Sequence, residues 1–350
     1  VTTSLNADLS QPLPQPQTAF DRRLAGMILD PRDLPFLHLI LGCLAVASLG
    51  VGLFFSGPWV WYLAPLYWAV VFLGFEDRFI LMLHCTSHRQ LFRPEHRRLN
   101  HVIPWVIGPF FGETPETYFV HHMGMHHPEN NLADDLSSTM RYRRDRLSHW
   151  LHYLFSFLSV GPALLAVYHW RKHNKKMLQR MLAGELSFYA VVAVLLAINW
   201  QATLVVFVIP VLLVRTLMMA GNWAQHAFVD ASDPANPYKN SLTCINTRYN
   251  RRCFNDGYHI HHHVKPRCHW TEYPTEFESN KDEYGRQDAI VFDGIDFFQV
   301  WALLMAGQWK SLAKRFVQLP GAPVRDEAAI IAFLQSRVAP IAPSGSAVAQ

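Results

Sequence analysis

The chain has 350 residues, of which 50% are hydrophobic, 13% aromatic and only 17% charged. An average soluble domain carries about 25% charged residues, so this composition excludes a disordered chain and argues against an ordinary soluble enzyme. A mean hydropathy of +0.05 is too low for a chain lying wholly in lipid, which implies a membrane-embedded part and a large water-facing part. The formal net charge of +4 comes from short basic clusters beside apolar segments, a pattern of topology and lipid headgroups and not of nucleic acid binding. Five cysteines (Cys43, Cys85, Cys244, Cys253 and Cys268) form no CxxC pair, which disfavours a disulfide framework or a four-thiolate metal site.

Residues 1–34 are polar and rich in Pro, Gln and Ser, without the basic-then-apolar order of a signal peptide, and read as a flexible tail. Residues 36–55 form a nearly uncharged run of the roughly 20 residues that a helix needs to cross the hydrocarbon core. Gly57-Pro58 breaks it and 59–75 continues, giving a helical hairpin whose tip carries Trp59, Trp61 and Tyr62. Residues 150–170 are apolar but have basic residues on both flanks (Arg141, Arg143, Arg144 and Arg146 before, Arg171, Lys172, Lys175 and Lys176 after), which suits an interfacial or re-entrant helix. A second hairpin is expected with arms 186–199 and 202–220. Arg215 near its end is an intramembrane charge and a functional candidate by default. The positive-inside tendency then gives an all-α integral membrane protein with about four transmembrane helices and both ends cytoplasmic. On this reading one domain covers 35–338, with hairpins at 36–75 and 186–220, a cytoplasmic histidine-rich cap at 76–149 and 221–338, and a flexible tail at 339–350.

The unusual feature is the set of 19 histidines, which fall in clusters. His84 and His88 are four residues apart in a helical context, so both imidazoles lie on one face. His122 and His126 repeat the spacing, while His127 stands about 100° round a helix and can address a neighbouring ion. In the third cluster His259, His262 and His263 share a face, with His261 turned away. His226 follows the last apolar run directly. Eight or nine imidazoles exceed the four to six ligands of one ion, so two metals are implied, and imidazole alone leaves iron, zinc and copper open.

Written together, these clusters are HxxxH, HxxxHH and HxxHH. In that order and spacing, the chain from about 75 to 275 resembles the membrane fatty-acid desaturase superfamily, which also includes alkane and fatty-acid hydroxylases and desaturase-like decarboxylases. The resemblance implies two iron ions in a non-haem centre with O2 as co-substrate. The ligands it implies are His84, His88, His122, His126, His127, His259, His262 and His263, with His226 matching the extra histidine before the third box. His121 and His261 lie inside the boxes but off the pattern. Asn222 and Asp256, and Glu113 or Glu116 ahead of the second box, are candidates to orient the ligands or hold a water.

The implied activity is O2-dependent oxidation of the aliphatic chain of a fatty acid or fatty acyl substrate drawn from the bilayer, with desaturation the leading reading. A decarboxylase making medium-chain terminal alkenes and an alkane or fatty-acid hydroxylase remain alternatives. A membrane zinc hydrolase, from another class, is a further one. A histidine-rich transporter is disfavoured because the clusters sit at the cytoplasmic ends of the crossings. With no GxGxxG fingerprint and no four-cysteine iron–sulfur site in the sequence, electrons are expected from an external donor such as ferredoxin or rubredoxin with its reductase.

Overall fold

The computed structural model describes residues 6–342, and helices dominate it. The chain forms two compact units. One comprises Val1–Gln11, Met125–Gly161 and Met218–Gln350; the other comprises Pro12–Gly124 and Pro162–Leu217.

In the second of these units, Leu34–Leu53 starts with proline in its first turn, where the missing N–H costs nothing. It ends before Gly57, which takes φ +57°, a turn conformation open to glycine. The chain returns as Val60–Trp68, passes through the π-helical stretch Ala69–Phe75 and continues as Glu76–His88. The arms run antiparallel at close range: a Cβ at Gly50 would lie 2.9 Å from the Tyr67 hydroxyl, and one at Gly42 would lie 2.6 Å from the Phe75 ring. A second reversal occurs in Lys175–Thr203, where Asn199 leaves the helical region at φ −152°. Its side-chain oxygen accepts from the Ala202 amide at 3.1 Å and starts the next arm. Arg215 then reaches Glu185, 30 residues earlier, at 3.4 Å. A straight helix would hold those two residues about 45 Å apart.

Among the described residues three helical stretches are long and apolar enough to cross a membrane: Pro31–Leu53, Leu147–Arg171 and Lys175–Gln225. The helical membrane architecture expected from the sequence is therefore present. Leu147–Arg171, expected as an interfacial or re-entrant helix, is a continuous 25-residue helix long enough to cross. Lys175–Gln225 is the stretch that folds back at Asn199. The arm from Val60 to His88 is not one continuous α-helix, because the π-helical stretch and the distorted Phe75 (φ −134°) divide it.

The other unit adds something that an all-α reading omits, a two-stranded parallel sheet of β1 (Leu242–Ile245) and β2 (Ile290–Asp293). Each strand is only four residues long, Leu-Thr-Cys-Ile and Ile-Val-Phe-Asp, too short to be told from a buried helical turn by pattern alone. Alternation along the strands divides the core. Leu242, Cys244, Ile290 and Phe292 pack with Phe297, Val300 and Leu304, whereas Ile245 and Val291 pack with Tyr258, Phe277 and Tyr284. Parallel strands require a long crossover, and the helix His259–Val264 sits inside it.

Both expected tails are anchored at particular residues where they are described. Asn6 and Asp8 are buried, Ala19–Ala25 is a helix with a Thr18–Asp21 capping box, and residues 1–5 lie outside the described residues. At the other end Ile341 donates to the Met140 carbonyl at 2.7 Å, and 343–350 lie outside the described residues. Arg144, read from sequence as a topology charge, is fully buried. Its guanidinium donates to the carbonyls of Ala227 (2.9 Å), Arg337 (2.9 Å) and Ala339 (2.7 Å), and its own carbonyl accepts from the Trp223 indole at 2.9 Å. Replacing Arg144 with Met leaves these carbonyls unpaired in the interior. The expected loss is about 3 kcal/mol or more, read as a lower thermal unfolding midpoint in detergent.

Candidate metal centre

Four histidines of the unit containing the sheet converge. His226 directly follows Ile209–Gln225, and its Nδ1 donates to the Asn240 carbonyl at 2.8 Å. His126 closes the π-helical stretch His122–His126, and its Nδ1 donates to Asp135 Oδ2 at 2.7 Å. His259 and His263 stand one turn apart on His259–Val264 with their Nε2 atoms 3.0 Å apart, and His259 Nε2 lies 3.3 Å from His226 Nε2. The donor atoms of His126, His226, His259 and His263 all lie within 4.8 Å of one another.

The surroundings fix which nitrogen faces inward. A carboxylate on His126 Nδ1 and a carbonyl on His226 Nδ1 place the protons there and leave each Nε2 lone pair directed at the group. Asp135 is itself held by the Asn131 amide at 3.0 Å and by the Ser137 amide at 2.8 Å. Burial, reinforced by the neighbouring His126, pushes the His226 imidazole down to about 3, and burial with the adjacent histidines pushes His263 well below the usual range. Both rings are therefore neutral near pH 7, the form that binds a metal.

The same unit holds His127 Nε2 at 3.0 Å from His262 Nε2, with His262 Nδ1 3.3 Å from the Tyr273 hydroxyl. In the other unit, His84 and His88 on Glu76–His88 meet His122, with 2.8 Å between His88 Nε2 and His122 Nε2, and Tyr118 stacks on the His122 ring. The i, i+4 pair His122 and His126 thus does not serve one donor group: His122 stands with His84 and His88, and His126 with His226, His259 and His263. The expectation rested on a regular α-helix, whereas this stretch is a π-helical turn, which shifts the phase of its side chains. His261 faces away as expected, its Nε2 3.8 Å from Glu276.

The proposed orienting residues fall as follows. Asp256 accepts from the Tyr249 hydroxyl at 2.9 Å and from Gln225 at 3.5 Å. Asn222 donates to the Ser137 carbonyl (2.9 Å) and the Tyr153 hydroxyl (2.7 Å), tying together elements that carry the site. Glu116 takes the Trp105 indole at 2.7 Å and pairs with Arg180. Arg215 pairs with Glu185, which also accepts from Thr114 and Thr117. Asp135 is a carboxylate held against a candidate ligand, His126, and sequence reasoning missed it. It stands beside the exposed Asp134, and nothing in the pair of letters tells which one turns inward.

Against protein-family models the chain matches fatty acid desaturase over residues 59–294, more than half its length. The chain belongs to the fatty acid desaturase family. The matched span contains all nine candidate ligand histidines of this desaturase-family chain. Comparison with curated proteins and with solved structures gives no match.

Two measurements check the site's electrostatics. Asp135→Asn should weaken metal affinity about 10–100-fold by chelator competition, while Asp134→Asn leaves it unchanged. Burial pushes the Glu113 carboxyl up to about 8, with Arg215 opposing and Glu185 adding to the rise. A carboxyl raised on folding stabilises below its unfolded value, and that stability is lost as pH rises through its folded value. The thermal midpoint should therefore fall as pH rises from about 5 to about 8, and Glu113→Gln should flatten that slope.

Proposed function

We propose that this desaturase-family chain is an O2-dependent, non-haem di-iron oxidase of a lipid bilayer, acting on the aliphatic chain of a fatty acid or fatty acyl substrate as a desaturase. The observation that carries the reading is the group of four imidazoles, three of them buried and His263 partly so, with donors within 4.8 Å of one another. Neutral nitrogen donors with anchored outer N–H groups suit iron in an oxygen-activating site. His126, His226, His259 and His263 would hold one iron. The family resemblance assigns His84, His88, His122, His127 and His262 to the remaining ligation.

When bound, the irons supply the reduction of dioxygen and the oxidising power to remove hydrogen from an unactivated C–H bond. The protein's part is positioning and exclusion. Asp135 and the Asn240 carbonyl hold two ligand rings in one tautomer and one orientation. Burial of His226, His259 and His126 keeps bulk water from the donors. The long apolar helices supply the path by which an acyl chain leaves the bilayer, so that the depth of its seating selects the carbon attacked. The protein is multi-pass on this reading, with the histidines on the cytoplasmic side. Its electrons come from a separate carrier such as ferredoxin or rubredoxin with its reductase. Exposed Arg248 and Arg251, beside the third histidine cluster in sequence, suit an acidic carrier.

The test combines metal analysis of the purified protein with mass-spectrometric product analysis from cells fed a saturated acid. Iron together with an unsaturated product of unchanged length supports desaturation. A hydroxylated acid or a terminal alkene one carbon shorter would reassign the reaction within the same chemistry, and zinc with oxygen-independent turnover would overturn it. His126→Ala and His262→Ala should each abolish product and lower bound iron, whereas His96→Ala, exposed on the 3-10 helix Pro94–His101, should do neither.

A further inference from the structure

We propose that the N-terminal segment Asn6–Gln11 is a strap that sets the third histidine box, with Asp8 as the positioning residue; this rests on the metal reading above. Asp8 is a carboxylate only 3% exposed, in a segment whose composition reads as a free tail. Its Oδ2 accepts from the Asn246 amide at 2.8 Å and from Asn250 Nδ2 at 2.8 Å, and lies 3.0 Å from the Tyr258 hydroxyl. Around it, Ala7 N donates to Asn246 Oδ1 at 2.7 Å, Gln11 Nε2 donates to Asn255 Oδ1 at 3.1 Å, and Asn6 Oδ1 lies 3.0 Å from the Tyr258 hydroxyl. One short segment thus grips four points of the loop that runs from the end of β1 into His259.

That loop needs gripping. Asn246, Phe254 and Asn255 all take positive φ, at +59°, +53° and +56°. Such conformations cost roughly 1 kcal/mol or more for a residue with a Cβ and persist only where surrounding contacts fix them. Gly257 is pressed so closely on Asn250 and the Cys244 carbonyl that a Cβ there would overlap both. Tyr258, fully buried, is the residue from which His259–Val264 starts. Any shift of Tyr258 is passed directly to His259, and one turn later to His263. Without Asp8 the Asn250 amide and the Tyr258 hydroxyl lose an acceptor inside the protein, a cost the loop avoids by relaxing out of its left-handed turns.

The experiment uses the full chain in detergent with Asp8→Ala, the isosteric Asp8→Asn, and Tyr258→Phe, which removes only the hydroxyl. Hydrogen exchange is read on the metal-free protein, and cobalt(II) and iron(II) affinities are read by chelator competition. In Asp8→Ala, exchange should rise across residues 246–264 while Leu34–Leu53 keeps its protection, and metal affinity should fall about 10–100-fold. Asp8→Asn, which retains one acceptor oxygen, should fall between Ala and wild type. Tyr258→Phe should reproduce part of the loss, and adding it to Asp8→Ala should cost less than the sum of the two. Unchanged exchange and affinity in Asp8→Ala overturns the proposal, as does a uniform rise in exchange along the chain. A wild-type protein that binds no iron or cobalt would fail the metal reading, and the exchange arm would still decide the strap. Should Asp8→Ala not fold, the same two readouts on Asp8→Asn and Tyr258→Phe decide it.

Discussion

Everything in the sheet-containing unit answers to one constraint: four imidazoles are crowded together out of water, and crowding is tolerable only if they stay neutral and their lone pairs have a purpose. Imidazole nitrogens 3.0 and 3.3 Å apart cannot both carry protons without repulsion in a poorly solvated interior. The outer nitrogens of His126 and His226 are therefore occupied by an Asp135 carboxylate and the Asn240 carbonyl. Those two contacts determine what the inner nitrogens are. A metal bound there would supply the attraction that the protein alone withholds, with part of its binding energy going into relieving that repulsion.

The architecture supplies the rigidity that such an arrangement demands. His226 is fixed at the end of a long helix, and its backbone carbonyl takes the Thr139 hydroxyl at 2.7 Å. His259 and His263 ride on a short helix that has little stability of its own, and its place is set by a parallel strand pair on which the crossover must begin and end. Arg144 binds the carbonyls of three separate segments into one core. A site of this kind is built on element ends rather than on loops, which keeps donor positions within narrow limits.

Much of this was legible in the sequence, and the legible part is the clustering of the histidines and the apolar helices. Histidine spacing alone isolates the candidate ligands, and His226, which belongs to no box, was found from its place just after an apolar run; it stands with His126, His259 and His263. The apolar helices were legible because hydrophobicity over about 20 residues is a strong signal. What the letters hid were features decided by tertiary packing. The π-helical turn at His122–His126 divides one box between two donor groups. Two four-residue strands carry too little pattern to announce a sheet. Asp135 and Asp134 are indistinguishable until one is buried. The polar N-terminal stretch reads as free chain because its partners, Asn246, Asn250 and Tyr258, lie so far along the sequence.

That distance has a consequence for the order in which the molecule comes together. Asp8 and Tyr258 are separated by 250 positions, so the Asp8 segment waits through the synthesis of everything between them for the surface it joins. The intervening apolar helices enter the bilayer during that interval, before the contact exists. Closing so long a loop costs little more free energy than closing a short one, since the penalty grows only with the logarithm of length, but it comes late. The Asp8 segment is thus among the last parts of its unit to settle, and a ribosome that stops short of Asn246 leaves it without these partners.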